Sequence, residues 1–164
     1  GEGYDHDQVG YNYRMTNLQA AVGVAQMERL QELVGKKREL RNIYAEAFGH
    51  HSKLKPLPRT DWADSADWFS GFILTDVLPS QSDVFRKHLR NMDIDTRPFW
   101  KPVHLQPPYA NTPHTDQKIA ESIWRNIVTL PCSTNISTEE IEFVIDAVER
   151  TLNSHSNGLW PKDA

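Results

Sequence analysis

The sequence predicts an α/β protein of the α+β kind, with one long helix followed by a small, short-stranded sheet covered by helices. Three observations lead there. From Leu18 to Phe48 the apolar residues Leu18, Val22, Ala25, Leu30, Leu33, Val34, Leu40, Ile43, Ala47 and Phe48 recur mostly three or four apart, which is helical spacing. Beyond them, short stretches rich in aromatic and β-branched residues alternate with further helical stretches. Near the end, Ile141, Val144, Ile145, Val148 and Leu152 form a clean amphipathic face.

Thr16 followed by Gln19 is a capping box, so the first helix starts at about Thr16. Unbroken to Phe48 it would be about 48 Å long, a length suited to bridging two domains, with Gly35 as a bend. "SKLKPLPRTDWADSAD" reads as a polar, proline-marked loop, and "WFSGFILTDVL" as a strand. "PSQSDVFRKHLRNMD" reads as a helix capped by Ser80 or Ser82, with Val84, Phe85, Leu89 and Met92 inward. "IDTRP" is a short strand stopped by Pro98, Asp116 to Trp124 a helix, and "NIVTLP" another strand. Ser137 and Glu140 form a second capping box ahead of the last helix, and Glu139 and Glu140 belong to that cap rather than to acid–base chemistry. The tail "SHSNGLWPKDA" is polar and expected to fray. Three short strands make a thin core, so the long helix needs something else to cover its apolar face.

Composition narrows the function. At 164 residues and 38% hydrophobic content the chain suffices for one domain or a large piece of a longer protein. The absence of an initial methionine favours the piece. A net charge of −4 and a pI near 6 argue against nucleic-acid binding, which needs a basic face. A lone cysteine, Cys132, rules out an internal disulfide and a multi-cysteine zinc site, and suits a reducing cytoplasm. No apolar run approaches a membrane span and "GEGYDHD" is no signal peptide, so a soluble, cytoplasmic chain is expected. Zinc-hydrolase, serine-hydrolase and phosphate-loop patterns do not occur. His50 and His51 end a helix, where histidines commonly compensate the dipole, and no metal is assigned to them.

Two constellations carry possible chemistry. In "VGYNYRMTNLQAA", Gly10 permits a tight turn, Asn12 and Arg14 offer hydrogen-bond donors, and a helix start with free N–H groups follows. Together they could suit an anion, phosphate above all, but the commoner reading of polar residues before a helix is that Tyr11 and Tyr13 pack while Asn12 and Arg14 satisfy a loop. In "RPFWKPVHLQPPY", Pro98, Pro102, Pro107 and Pro108 stiffen a loop that presents Arg97, Trp100, Lys101, His104, Gln106 and Tyr109. That mixture suits a base or sugar ring with a diphosphate; the alternative is a surface loop pinned by its aromatics. Trp68 is expected in the core, with a pocket wall as the other reading.

These residues resemble a known family. "GYNYRMTNLQAAVGVAQMERL", "IDTRPFWKPVHLQPPY" and "LPCSTNISTEEIEFVI" are similar, in order, to the DegT-type nucleotide-sugar aminotransferases, pyridoxal-phosphate enzymes of the aspartate aminotransferase fold (type I). The resemblance implies a C-terminal part: residues 1–50 the approach and bridging helix, 51–154 the small domain, 155–164 a flexible tail. It implies that the Schiff-base lysine lies upstream, that no catalytic residue is in this chain, and that the piece alone is inactive. None of Lys36, Lys37, Lys53, Lys55, Lys87, Lys101, Lys118 and Lys162 matches that position. It implies a homodimer in which Asn12 reaches the cofactor phosphate of the other subunit, with Arg14 near the cofactor or substrate phosphates. His104, with Arg97, Trp100 and Lys101, would border the nucleotide-sugar pocket.

The implied reaction is amino transfer, with glutamate as donor, to C4 of a nucleotide-linked 4-keto-6-deoxy sugar in surface-polysaccharide or glycan precursor synthesis. UDP-linked N-acetyl sugars and GDP-perosamine synthesis are the competing substrates. Relatives with histidine in place of the lysine are sugar dehydratases, a second implied chemistry. A third reading is a non-catalytic small domain that binds a partner chain through its long helix.

Overall fold

The computed structural model describes residues 4–154. Helix α1 (Asn17–Glu28) opens with the expected capping box: Thr16 N–H donates to Gln19 Oε1 at 2.7 Å, and Gln19 N–H to Thr16 Oγ1 at 3.4 Å. The predicted single helix is divided, however. It stops at Arg29 and resumes as α2 (Leu30–Phe48), whereas Gly35 lies undisturbed inside α2. The physical reason is local. At Arg29 (φ −107°, ψ 7°) the N–H turns to Gln26 O at 3.1 Å, three residues back, and the guanidinium bonds both carboxylate oxygens of Glu32 at 3.0 and 2.8 Å. The expected buried face is also absent from α1, none of whose residues is buried.

The chain then forms β1 (Leu54–Pro56), inside the stretch read as loop, and β2 (Ser70–Leu74) inside the predicted strand. Helix α3 (Pro79–Arg90) follows, capped not by Ser80 or Ser82 but by Pro79 at its first turn and by Gln81, whose side chain accepts the Leu78 N–H at 2.7 Å. Ser82 is buried instead, donating to Asn126 Oδ1 at 3.1 Å. The exit of α3 is a Schellman turn: Ile94 N–H reaches Leu89 O at 3.2 Å and Asp93 N–H reaches Arg90 O at 3.0 Å. Asp93 takes the left-handed conformation (φ 59°) normally left to glycine.

Two 3₁₀ turns, Val103–Leu105 and Pro107–Tyr109, shape the proline loop. Helix α4 (Lys118–Ile123) and a 3₁₀ turn (Trp124–Asn126) lead into β3 (Ile127–Leu130), and α5 (Thr138–Ser154) closes the described chain. The second capping box forms as expected, Ser137 N–H to Glu140 Oε2 at 2.8 Å and Glu140 N–H to Ser137 Oγ at 3.2 Å. Apart from Ser154, the predicted frayed tail lies outside the described residues.

The sheet is antiparallel, in order β1-β2-β3, with Leu54 opposite Leu74 and Phe72 opposite Val128. "IDTRP" is not a strand. Only Arg97 bridges to Thr129, because Pro98 has no N–H to extend the ladder. Along β2, Ser70, Phe72 and Leu74 are buried and alternate with half-buried Gly71 and Ile73, whereas all four residues of β3 are buried. Leu40, Tyr44 and Phe48 of α2, Phe85 and Leu89 of α3, and Val144, Val148 and Leu152 of α5 pack with Phe72, Leu74, Val128 and Leu130 in one core. Tyr44 donates from its hydroxyl to Pro131 O at 2.9 Å, and burial pushes its phenol above the ordinary tyrosine range.

Candidate functional site

The proline loop begins at the β3 margin of the sheet. Arg97 O accepts from Thr129 N–H at 3.0 Å and from the Thr129 hydroxyl at 3.2 Å, which ties the start of the loop to β3. From there Phe99 and Trp100 join a ring cluster: Trp100 lies 4.9 Å from Phe99, 5.0 Å from Phe69, 5.8 Å from Trp68 and 6.1 Å from Tyr4, centre to centre. Trp68 is thus a surface residue, 65% exposed, not the core residue expected. The interior position is taken by its neighbour Asp67, whose buried carboxylate pairs with Arg59 and, at 3.7 Å, with Arg41, and whose backbone is left-handed (φ 46°). With Asp67 turned in, the next side chain turns out.

Beyond Trp100 the loop encloses a cleft of about 680 Å³, walled by Trp100, Lys101 and His104 on one side and by His114, Ile123 and Trp124 on the other. This volume lies in the range of small-molecule sites, roughly 300–1,000 Å³. His104 is set from two directions. Its Nε2 is 2.7 Å from Glu121 Oε1 on α4, and its ring stacks on His114 at 4.8 Å and 21°. Lys101 pairs with Asp5, and that hydrogen bond, followed by the lysine charge, holds the Asp5 carboxyl below the usual carboxylate range. Arg97 pairs with Asp95 at 3.2 Å at the loop's start and does not line this cleft.

Gln106 has a different part from the ligand-facing one expected. It is buried, and its amide donates to Tyr4 O at 2.6 Å and accepts from His6 N–H at 2.9 Å. The amide therefore fastens the opening segment to the loop. After this anchor the chain leaves the body. Residues 7–15 are exposed, with Tyr11 at 81% and Tyr13 at 87%. Asn12 and Arg14 have no hydrogen-bond or ion-pair partner among the described residues, and Arg14 has a positive φ of 27°. The structure brings Trp100, Lys101 and His104 together but does not bring Asn12 or Arg14 to them.

Sequence reasoning missed Asp5, His114 and Glu121. Each is an ordinary polar residue at a distance of 10 to 96 positions from its partner, and nothing in local spacing marks it. Lys37 was likewise silent: its ammonium donates to Trp68 O at 3.2 Å and to Cys132 O, joining α2 to the ends of β2 and β3.

No helix among the described residues is long and apolar enough to cross a membrane. The sequence pattern of the DegT/DnrJ/EryC1/StrS aminotransferase family matches residues 1–149. GDP-perosamine synthase of Escherichia coli O157:H7 is 35% identical over 150 residues, covering 88% of this chain and 38% of that protein. The crystal structure of S. venezuelae DesV in complex with a ketimine intermediate superposes with a TM-score of 0.71 at 27% identity, over 90% of this chain and 39% of DesV. Helicobacter pylori PseC, an aminotransferase involved in the biosynthesis of pseudoaminic acid, gives a TM-score of 0.75 at 21% identity, over 90% of this chain and 40% of that one, which shows the shared fold. The chain spans about two-fifths of the length of these relatives. It belongs to the DegT/DnrJ/EryC1/StrS aminotransferase family.

Proposed function

We propose, from this membership, that the chain is the C-terminal part of a pyridoxal-phosphate-dependent aminotransferase that moves an amino group from glutamate to C4 of a nucleotide-linked 4-keto-6-deoxy sugar. Its place is cytoplasmic synthesis of surface-polysaccharide or glycan precursors. The observation that carries the reading is the family match over residues 1–149, nearly the whole chain. The relative named GDP-perosamine synthase supports a GDP-linked sugar over the UDP-linked alternative.

The residues present fit the cofactor's phosphate end. Asn12 and Arg14 carry donors that the described residues leave uncommitted, on an arm that extends away from the body, as a group serving another subunit of a homodimer would. Pyridoxal phosphate, when bound, supplies the electron sink for the reaction. The Schiff-base lysine is assigned to the part of the enzyme that this chain does not span. In keeping with that, Lys37 is committed to two backbone carbonyls and Lys101 to Asp5. His104, held by Glu121 and His114, offers its remaining ring nitrogen to a sugar hydroxyl and Trp100 offers a ring face, while Lys101, paired with Asp5, stands in the same wall. Helix α1, with no buried residue of its own, is the surface that the rest of the enzyme covers.

The test uses the complete enzyme. Asn12→Ala with Arg14→Ala is expected to lower cofactor retention on dialysis while His104→Ala raises KM for the GDP-linked keto sugar with cofactor content unchanged. Wild-type cofactor affinity in the double variant would remove the phosphate assignment. No amino transfer from glutamate to any nucleotide-linked 4-keto sugar would remove the reaction.

A further inference from the structure

We infer that His50, His51 and Glu149 form a binding site for a divalent cation of the Zn²⁺ type, which clamps the end of α2 to α5. Two neighbouring histidines after a helix are unremarkable in sequence, but the fold supplies a third ligand 98 residues further along the chain. Glu149 Oε1 lies 2.7 Å from His51 Nε2 and 3.8 Å from His50 Nε2, and the two rings are 4.2 Å apart. One ligand atom from each residue lies within 4.8 Å of the others, which holds for no other trio of histidine, cysteine and acidic side chains among the described residues.

These separations suit one ion. Ligands about 2.0–2.2 Å from a tetrahedral Zn²⁺ stand roughly 3.4 Å apart, and the two measured distances fall on either side of that value. The donor set is two imidazoles and one carboxylate, which favours borderline transition-metal cations over the all-oxygen preference of Ca²⁺ and Mg²⁺. Side-chain exposures of 67% for His50, 21% for His51 and 28% for Glu149 leave an open flank where water completes the coordination. Gly49, right-handed at φ −62° and ψ −18°, carries the chain from α2 to the two histidines. Without the ion, His51 Nε2–H donates to Glu149, so binding releases that proton and moves the two ligand atoms apart, and affinity falls as pH falls.

An ion held by ligands from the turn after α2 and from α5 binds the folded state in preference to the unfolded one, so it raises stability as its occupancy rises. The site is remote in role from amino transfer and stands whether or not that activity is found. The test is calorimetric titration of ZnCl₂ into the untagged, EDTA-stripped full-length protein, with thermal melts, beside Glu149→Gln and His50→Ala. Wild type is expected to bind one more equivalent of Zn²⁺ than either variant, or to bind it more tightly by at least the roughly tenfold that even an outer-shell change costs. Its Tm should rise with Zn²⁺ and not with MgCl₂. Equal stoichiometry and affinity in all three proteins would overturn the site, as would a Tm that responds alike to Zn²⁺ and Mg²⁺. His50 and Glu149 are exposed enough for both variants to fold, and circular dichroism without metal verifies that they do.

Discussion

Helix α1 and the C-terminal half of α2 are similarly apolar stretches in opposite surroundings. Leu40, Tyr44 and Phe48 are 4%, 2% and 3% exposed, whereas Leu18 and Val22 are 81% and 63% exposed. A helical apolar stripe tells that a face will be covered, without telling by what. The lower half of α2 meets β1, β2 and α5, so its burial is internal. α1 meets none of these, and at 12 residues it is near the length at which an isolated helix is marginal in water. The described chain thus consists of a core whose burial is internal and an arm whose apolar residues lie exposed.

The sharpest way to break this contrast is a large truncation in the core. Phe85 is fully buried, edge-on to Phe72 at 6.0 Å, and Phe85→Ala is expected to cost about 4 kcal/mol in urea unfolding. Next comes Gly71→Ala. A Cβ at Gly71 would collide with Val128 O, so β2 and β3 must separate, at a cost of about 3 kcal/mol by the same measurement. Tyr44→Phe keeps the ring and removes the hydroxyl that serves Pro131 O; about 1 kcal/mol is expected. Leu18→Ala on the arm should change the stability of this chain by no more than about 0.5 kcal/mol. A loss at Leu18 equal to that at Phe85 would abolish the distinction between core and arm.

The smallest effect lies at the joint between the two. Glu32 is held down to about 2, first by the hydrogen bond from Arg29 and then by that from Lys36. Its folded pKa lies below the ordinary value of 4.5, so the stabilisation from its ionised form is present above pH 4.5 and is lost as pH falls toward about 2. The pair is exposed and the effect is correspondingly slight. Following the Glu32 carboxyl carbon by NMR measures it, and titration at 4.5 would show that Arg29 does not anchor the start of α2.

What could be read from the residues divides along the same line. Both capping boxes and the α5 face were legible because they depend on neighbours three or four apart. The pause at Arg29 was not, since it rests on one N–H choosing Gln26 O. β1 was hidden by Lys55 and Pro56, which resemble loop, and it exists only because β2 offers it a partner. At the site, the proline loop announced Trp100, Lys101 and His104. The groups that orient them, Glu121 on α4 and Asp5 near the start, come from distant turns of the chain. Trp68 was misplaced because composition records that tryptophan is apolar, not that Asp67 beside it has claimed the interior.

The short β1 and the lone bridge at Arg97 also decide how this sheet meets other molecules. Every open sheet offers two margins of unpaired backbone, templates on which a stranger's strand can grow. Here one margin carries Lys55 and Pro56, and the other receives a single bridging residue before Pro98 ends the pairing. Charge and missing donors at both margins are a defence against edge-to-edge aggregation, and they leave recognition to side chains rather than to main chain.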